Sequence, residues 1–315
     1  MLRCGLLLHK VSGVLFSEKR ECLRLHWLIE PLGFEFMRNA LTMGILLGIL
    51  GAVVGSYMIV QGMSMMGDMI AHSILAGLPV ALFLGLPLSL GALVAGVVSA
   101  VMLAGIESQS RLKLDGVMAL IFSSFLAIGT TLVTVLPGAN RIDVIHILFG
   151  NILGVNQGDL MLTFGITLII LISVWLFYKE LLFYTFDPIG AQAGGMEVRW
   201  YYLGMVTAIS LTVVASLQAV GVLLVMGMLV APGITAYLLV KELHQMMILG
   251  GCLGALSSIV GMYLSYYLDI PSGSAIILVA FGFFLLAFLF SPSQGVLTQS
   301  GFIKDSLVKS SARAD

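Results

Sequence analysis

The chain has 315 residues; 59% are hydrophobic and only 10% are Asp, Glu, Lys or Arg, against about 25% charged residues in soluble domains. With a mean hydropathy of +1.09 it carries more apolar surface than a soluble fold can hide, so the composition excludes one and reads as an all-α polytopic membrane protein. A net charge of −1 offers no basic field for nucleic acid, and Cys4, Cys22 and Cys252 show neither metal spacing nor a disulfide framework.

In chain order, residues 1–33 form an N-terminal extension. Its apolar run "GLLLHKVSGVLF" is too short to span a bilayer, and no small-x-small cleavage site follows. Apolar stretches of bilayer length then recur at 39–61, 67–85, 88–106, 116–136, 159–178, 200–217, 220–240, 245–268 and 273–290, which predicts about nine transmembrane helices within residues 34–292. Stretches such as "GILLGILGAVVG" are rich in small residues that let membrane helices approach closely. Arg111, Lys113, Lys179, Arg199 and Lys241 fall on one side of this nine-span model, together with the tail of residues 293–315. That excess places the C-terminus in the cytoplasm and the N-terminus outside, although basic residues before the first span pull the other way.

The segment "SMMGDMIAHSILAGL" stands out. Asp68 is the only formally charged side chain between Arg38 and Glu107, and His72 follows four residues later. Positions four apart share a helix face. An ionised Asp at mid-bilayer costs about 2.5–3.5 kcal/mol on insertion scales, so such a residue is a functional candidate by default. A carboxylate and a neutral imidazole suit a first-row divalent cation, and they equally suit a proton relay. The plainer alternatives are an Asp68 near the cytoplasmic end of its helix, or serving as its N-cap, and a His72 that bonds a neighbouring helix. Two ligands leave a coordination sphere open for carbonyls, water or the thioethers of Met63, Met65 and Met66.

Three further stretches carry expectations. "PGANRIDVIHILFGNILGVNQGDL" (137–160) is apolar but interrupted by glycine, and reads as a re-entrant or gating segment in which His146 either meets an ion or is structural. "KELLFYTFDPIGAQAGGMEVRWYY" (179–202) is too polar to lie in lipid; it reads as a cytoplasmic loop holding a short surface helix, with Asp187 as N-cap, Pro188 at the first helical position and an end near Gly194–Gly195. Late helix breaks are expected at Pro232–Gly233 and at Pro271 and Gly273, the latter pair also fitting a plain helix entry. No G-x-x-x-x-G-K-[ST] stretch is present to cradle ATP phosphates and no H-E-x-x-H to hold a hydrolytic zinc.

The order of "GSYMIVQGMSMMGDMIAHSILAGLPVALFLG", "FDPIGAQAGG", "VGVLLVMGMLVAPGITAYLLV" and "DIPSGSAIILV" resembles the ABC-3 family, the permease subunits of bacterial ABC importers for manganese, zinc and iron. The resemblance runs from about Phe34 to Phe290. It implies a fold similar to vitamin B12-type importer permeases and a location in the bacterial inner membrane. It also implies a dimer of permeases, a separate cytoplasmic ATPase, and a periplasmic or lipoprotein metal-binding protein. The chain would then be no enzyme itself and would hold no permanent cofactor, the metal being cargo: Mn2+ by preference, Zn2+ or Fe2+ otherwise. The resemblance marks Asp68 and His72 as metal-contacting and Phe186, Asp187, Pro188, Ala191 and Gly195 as the coupling element that docks on the ATPase, and "FGNIL", with Phe149, Gly150 and Asn151 close after His146, is similar to the outer gate helices of this permease class. The chain departs from the family pattern at Ile189–Gly190, Gly194 and Gly233–Ile234. A proton-coupled secondary transporter using Asp68–His72 as a relay, a membrane-embedded metalloenzyme, and a permease for iron chelates or vitamin B12 are the competing readings.

Overall fold

The computed structural model describes residues 30–110, 112–136 and 152–291, and all regular structure among them is helical. The first half runs α1 (Glu35–Val60), α2 (Met66–Leu84), α3 (Leu88–Gln109) and α4 (Leu114–Val135). One 3-10 turn, Pro31–Gly33, precedes α1, and another, Ile152–Gly154, leads into α5 (Gln157–Leu176), α6 (Tyr178–Phe186) and α7 (Pro188–Ala193). The chain closes with α8 (Val198–Val220), α9 (Val222–Leu239), α10 (Leu243–Leu268) and α11 (Ser272–Phe290). Among the described residues nine helices, all but α6 and α7, are long and apolar enough to cross a membrane. They match the nine stretches read from the sequence to within a few residues.

Local chemistry sets the ends. Gly85 stops α2 in the left-handed region at φ +68°, its amide donating to the Ala81 and Leu82 carbonyls. The start of α5 is a reciprocal capping box, in which the Asn156 side chain accepts from the Asp159 amide at 2.9 Å and the Asp159 carboxylate accepts from the Asn156 amide at 3.3 Å.

The spans differ sharply in depth. α1 buries 72% of its span and α2 67%, whereas α4 and α11 bury 22% and α5 17%. The first two therefore form the centre, and the others present broad faces outward. α1 packs on α10 and α9, and α2 packs on α3 and α4.

Two of the closest contacts follow from proline. Pro232 lies inside α9 and has no N–H, which releases the carbonyl four residues earlier, that of Met228. Gly51 of α1 rests on that carbonyl; a Cβ there would lie 2.6 Å from the oxygen. Pro79 likewise lies inside α2 and releases the Leu75 carbonyl, against which Gly129 of α4 packs with a notional Cβ 2.9 Å from the oxygen. In both places a neighbouring glycine brings its Cα–H up to the freed acceptor, a contact only a residue without Cβ can make.

Candidate functional site

α2 begins just after a tight turn, in which Gly62 takes φ +70° and the Met63 amide donates to the Met58 carbonyl at 2.8 Å. The N-cap is Met65, so Asp68 is the third residue of the helix, not its cap. A carboxylate there lies among the first-turn amides left unpaired by the helix, at the positive end of its dipole. The turn also fixes depth. Gln61 Nε2 donates to Thr185 Oγ1 at 3.2 Å, which ties the α1–α2 turn to the last turn of α6, directly before the surface helix α7. Asp68 thus lies near the α7 end of the bundle and not at mid-bilayer, and its side chain is 47% exposed. The insertion cost expected for a central carboxylate is correspondingly relieved.

One turn on, His72 is mostly buried, its ring packed edge-to-face on Phe122 of α4 with centroids 4.5 Å apart. Its Nδ1 is 3.0 Å from the Asp68 backbone carbonyl and 3.4 Å from the Asp68 carboxylate Oδ1. A carbonyl oxygen only accepts, so Nδ1 carries the hydrogen and, in the neutral ring, Nε2 keeps its lone pair. Among the described residues no three His, Cys, Asp or Glu side chains cluster closely enough to cage a metal. Among the described residues Asp68 and His72 thus stand as a pair, without a third such side chain beside them. Of the thioethers considered from sequence, Met66 is fully buried in the core and Met65 is exposed.

α4 carries a second feature. Its exposed positions include Ser123, Ser124, Thr130, Thr131 and Thr134. Ser123, Thr130, Thr131 and Thr134 donate their hydroxyl hydrogens to carbonyls of their own helix at 2.7–3.0 Å. These residues lie on the face of α4 that the rest of this chain leaves exposed. The outer face of α5 is instead built of Met161, Leu162, Phe164, Leu168, Ile169, Ile172, Trp175 and Leu176, as lipid contact requires.

The surface helix α7 is built as the sequence predicts. Asp187 caps it, Oδ1 accepting from the Gly190 amide at 2.8 Å, with Pro188 at the first position. Gly194 and then Gly195, at φ +86°, end it. Ala191 is fully buried, while Phe186 and Ile189 are 60% and 80% exposed. Sequence reading missed α6, which precedes it. There Tyr184 packs inward; burial first, and the Glu107 carboxylate second, push its phenol up to about 12. A crevice of about 990 Å3 runs between α5 and α8 down to Gly195–Glu197, but neither Asp68 nor His72 lines it.

The remaining predicted positions divide. Pro232 and Gly233 are buried within α9. Pro271 and Gly273 lie at the entry of α11, as N-cap and second residue, and interrupt no helix. The proposed outer gate residues His146, Phe149, Gly150 and Asn151 lie outside the described residues. Phe122 and the α4 hydroxyls were not singled out from sequence. The Ser/Thr spacing on α4 was a readable signal, whereas nothing local announces the Phe122–His72 contact.

Among the described residues there are nine candidate spans, two of them central, with a capped surface helix at one end of the bundle, the architecture of a polytopic membrane protein. The chain belongs to the ABC 3 transport family, whose model matches residues 33–291. It is 42% identical over 270 residues to the "Manganese transport system membrane protein MntC" of Halalkalibacterium halodurans, covering 86% of this chain and 92% of that protein. It is 37% identical over 265 residues to a protein of Haemophilus influenzae named "Probable iron transport system membrane protein", covering 84% and 97%. Among solved structures, "PsaBC from Streptococcus pneumoniae in complex with Fab" superposes with a TM-score of 0.76 at 37% identity, covering 86% of this chain and 97% of that one. An inward-facing metal-chelate type ABC transporter shares the fold with a TM-score of 0.64 at 14% identity, covering 91% and 92%.

Proposed function

We propose that this subunit passes Mn2+ across the bacterial inner membrane, driven by a separate ATPase and supplied by a metal-binding protein. The observation that carries the reading is the Asp68–His72 pair. It is a carboxylate and an imidazole whose Nε2 has no partner among the described residues, one turn apart, set beside α4, an outward-facing span with a lane of exposed hydroxyls. α4 runs away from the α7 end, so this lane leads from the outer half of the membrane toward the pair. An ion moving along it exchanges water for hydroxyl oxygens, then for a carboxylate and a ring nitrogen. Among the described residues two strong donors stand together, so a second copy across α4 and water complete the sphere, and the ion is released again. α7, with Phe186 and Ile189 exposed, is the surface that docks on the ATPase. The manganese preference rests on relatives such as the Halalkalibacterium protein.

Iron is the second reading, favoured by the Haemophilus relative. The donor set accepts either ion, and geometry and availability must choose. The test is metal uptake in cells lacking this chain and complemented with it. Restoration of manganese accumulation is expected. Restored iron accumulation with unchanged manganese would transfer the assignment to iron, and restoration of neither would end it.

A further inference from the structure

The hydrogen bond between Gln61 and Thr185 joins residues 124 positions apart. Thr185 is buried. The other end of the Gln61 amide, Oε1, is also buried and has no partner among the described residues. Two apolar side chains of similar size would fill this place without leaving an acceptor unmatched, so simple packing does not account for the polar pair. Its position does.

On one side, Thr185 is followed two residues later by Asp187, whose amide donates to the Phe183 carbonyl at 3.0 Å and whose carboxylate caps α7. Thr185 therefore moves with α7. On the other side, Gln61 ends α1, its amide bonded to the Tyr57 carbonyl at 3.1 Å. The turn to α2 is held by the Met63 amide on Met58 at 2.8 Å and the Met66 amide on Met63 at 2.9 Å. Asp68 is seven residues beyond Gln61, on the first turn of α2. Both arms are braced, and among the described residues the Gln61–Thr185 pair is the side-chain hydrogen bond that connects them.

We propose that the Gln61–Thr185 hydrogen bond is the joint that passes a displacement of α7 to the start of α2, and so to Asp68 and His72. The inference rests on the importer reading above. Gln61 and Thr185 act as positioning residues: neither touches the ion, and the unmatched Oε1 gives the amide an acceptor with which to change partners as the joint moves.

The test uses the full chain with its ATPase in proteoliposomes supplied with the metal-loaded binding protein. Metal uptake and ATP hydrolysis are measured together for wild type, Thr185→Val, Gln61→Leu, the double variant and Thr185→Ser. Uptake per ATP is expected to fall about fivefold or more in each of the first two. It should fall no further in the double variant, since both remove one interaction. Thr185→Ser, which keeps the hydroxyl, should match wild type. Hydrogen exchange gives a readout that needs no metal: nucleotide should alter both 188–193 and 61–72 in wild type, but only 188–193 in Thr185→Val. A wild-type ratio in Thr185→Val, additive losses in the double variant, or an undiminished exchange response at 61–72 overturns the joint. Absence of metal uptake by the wild-type complex overturns the importer reading instead, and the exchange pattern then decides the joint alone.

Discussion

The Nδ1 atom of His72 is held 3.0 Å from the backbone carbonyl of Asp68, and not chiefly by its carboxylate, which stands 3.4 Å away. The distinction matters because a backbone acceptor survives any change of side chain. It fixes the tautomer and leaves both the carboxylate and Nε2 available to a third party. A metal ligand commonly has its second ring nitrogen anchored in this way.

It follows that Asp68→Ala and His72→Ala affect transport without unfolding α2. In Asp68→Ala the imidazole keeps its anchor and one donor remains; in His72→Ala the ring and its packing on Phe122 both go. Metal uptake should drop at least about tenfold in Asp68→Ala and further in His72→Ala, with normal membrane insertion and complex assembly. Wild-type accumulation by both variants would remove the pair from the path.

Acid should weaken uptake through the same nitrogen. Nε2 binds a cation only while it holds a lone pair, and protonation both fills it and adds like charge. Stepping from about pH 7.5 to about pH 5.5 on the side the pair faces should lower uptake in wild type. The dependence should flatten in His72→Gln, whatever activity that variant keeps. Tyr184, raised to about 12 by burial and Glu107, stays neutral throughout this window and adds nothing to the profile.

Much of this was legible because it is local. Hydropathy alone locates nine spans, and "FDP" specifies the Asp187 cap and the Pro188 start of α7. The pair at 68 and 72 was visible as charge where none is expected. What escaped was tertiary or ambiguous. α6 continues from α5 after a single residue, Phe177, so its polar sequence reads as loop. The depth of Asp68 depends on where the α1–α2 turn sits, which the Gln61–Thr185 contact reveals and hydropathy does not. Phe122 is one of 17 phenylalanines, and only folding brings it to His72. Pro79 was passed over because a proline inside a membrane helix declares its role only through the glycine that meets the freed carbonyl.

Those proline–glycine contacts make a packing prediction. Gly129→Ala sets a methyl carbon 2.8 Å from the Leu75 carbonyl carbon, and Gly51→Ala sets one 2.6 Å from the Met228 oxygen. The opposing atoms are backbone and cannot rotate aside, so the helices must separate. Each variant should lose about 1–3 kcal/mol, in the range of overpacking. Detergent-solubilised protein should melt at lower temperature. Gly105→Ala, where a Cβ meets open space, is the control and should melt as wild type does.

The last prediction concerns α7. Six residues cannot sustain a helix in isolation, and its order depends on the Asp187 cap, the Pro188 start and the burial of Ala191. Removing the carboxylate in Asp187→Ala costs about 1 kcal/mol of local stability and frays the first turn. Because Ala191 stays buried and the spans are untouched, the bundle itself should melt normally. Docking is a separate matter. Phe186 and Ile189 stand out from the surface at 60% and 80% exposure, so Ile189→Glu changes only what a partner meets. If α7 is the docking surface, Ile189→Glu should insert and melt as wild type does yet fail to co-purify with the ATPase, and Asp187→Ala should weaken that association in part. Undiminished co-purification of Ile189→Glu would move the docking surface elsewhere on the cytoplasmic face.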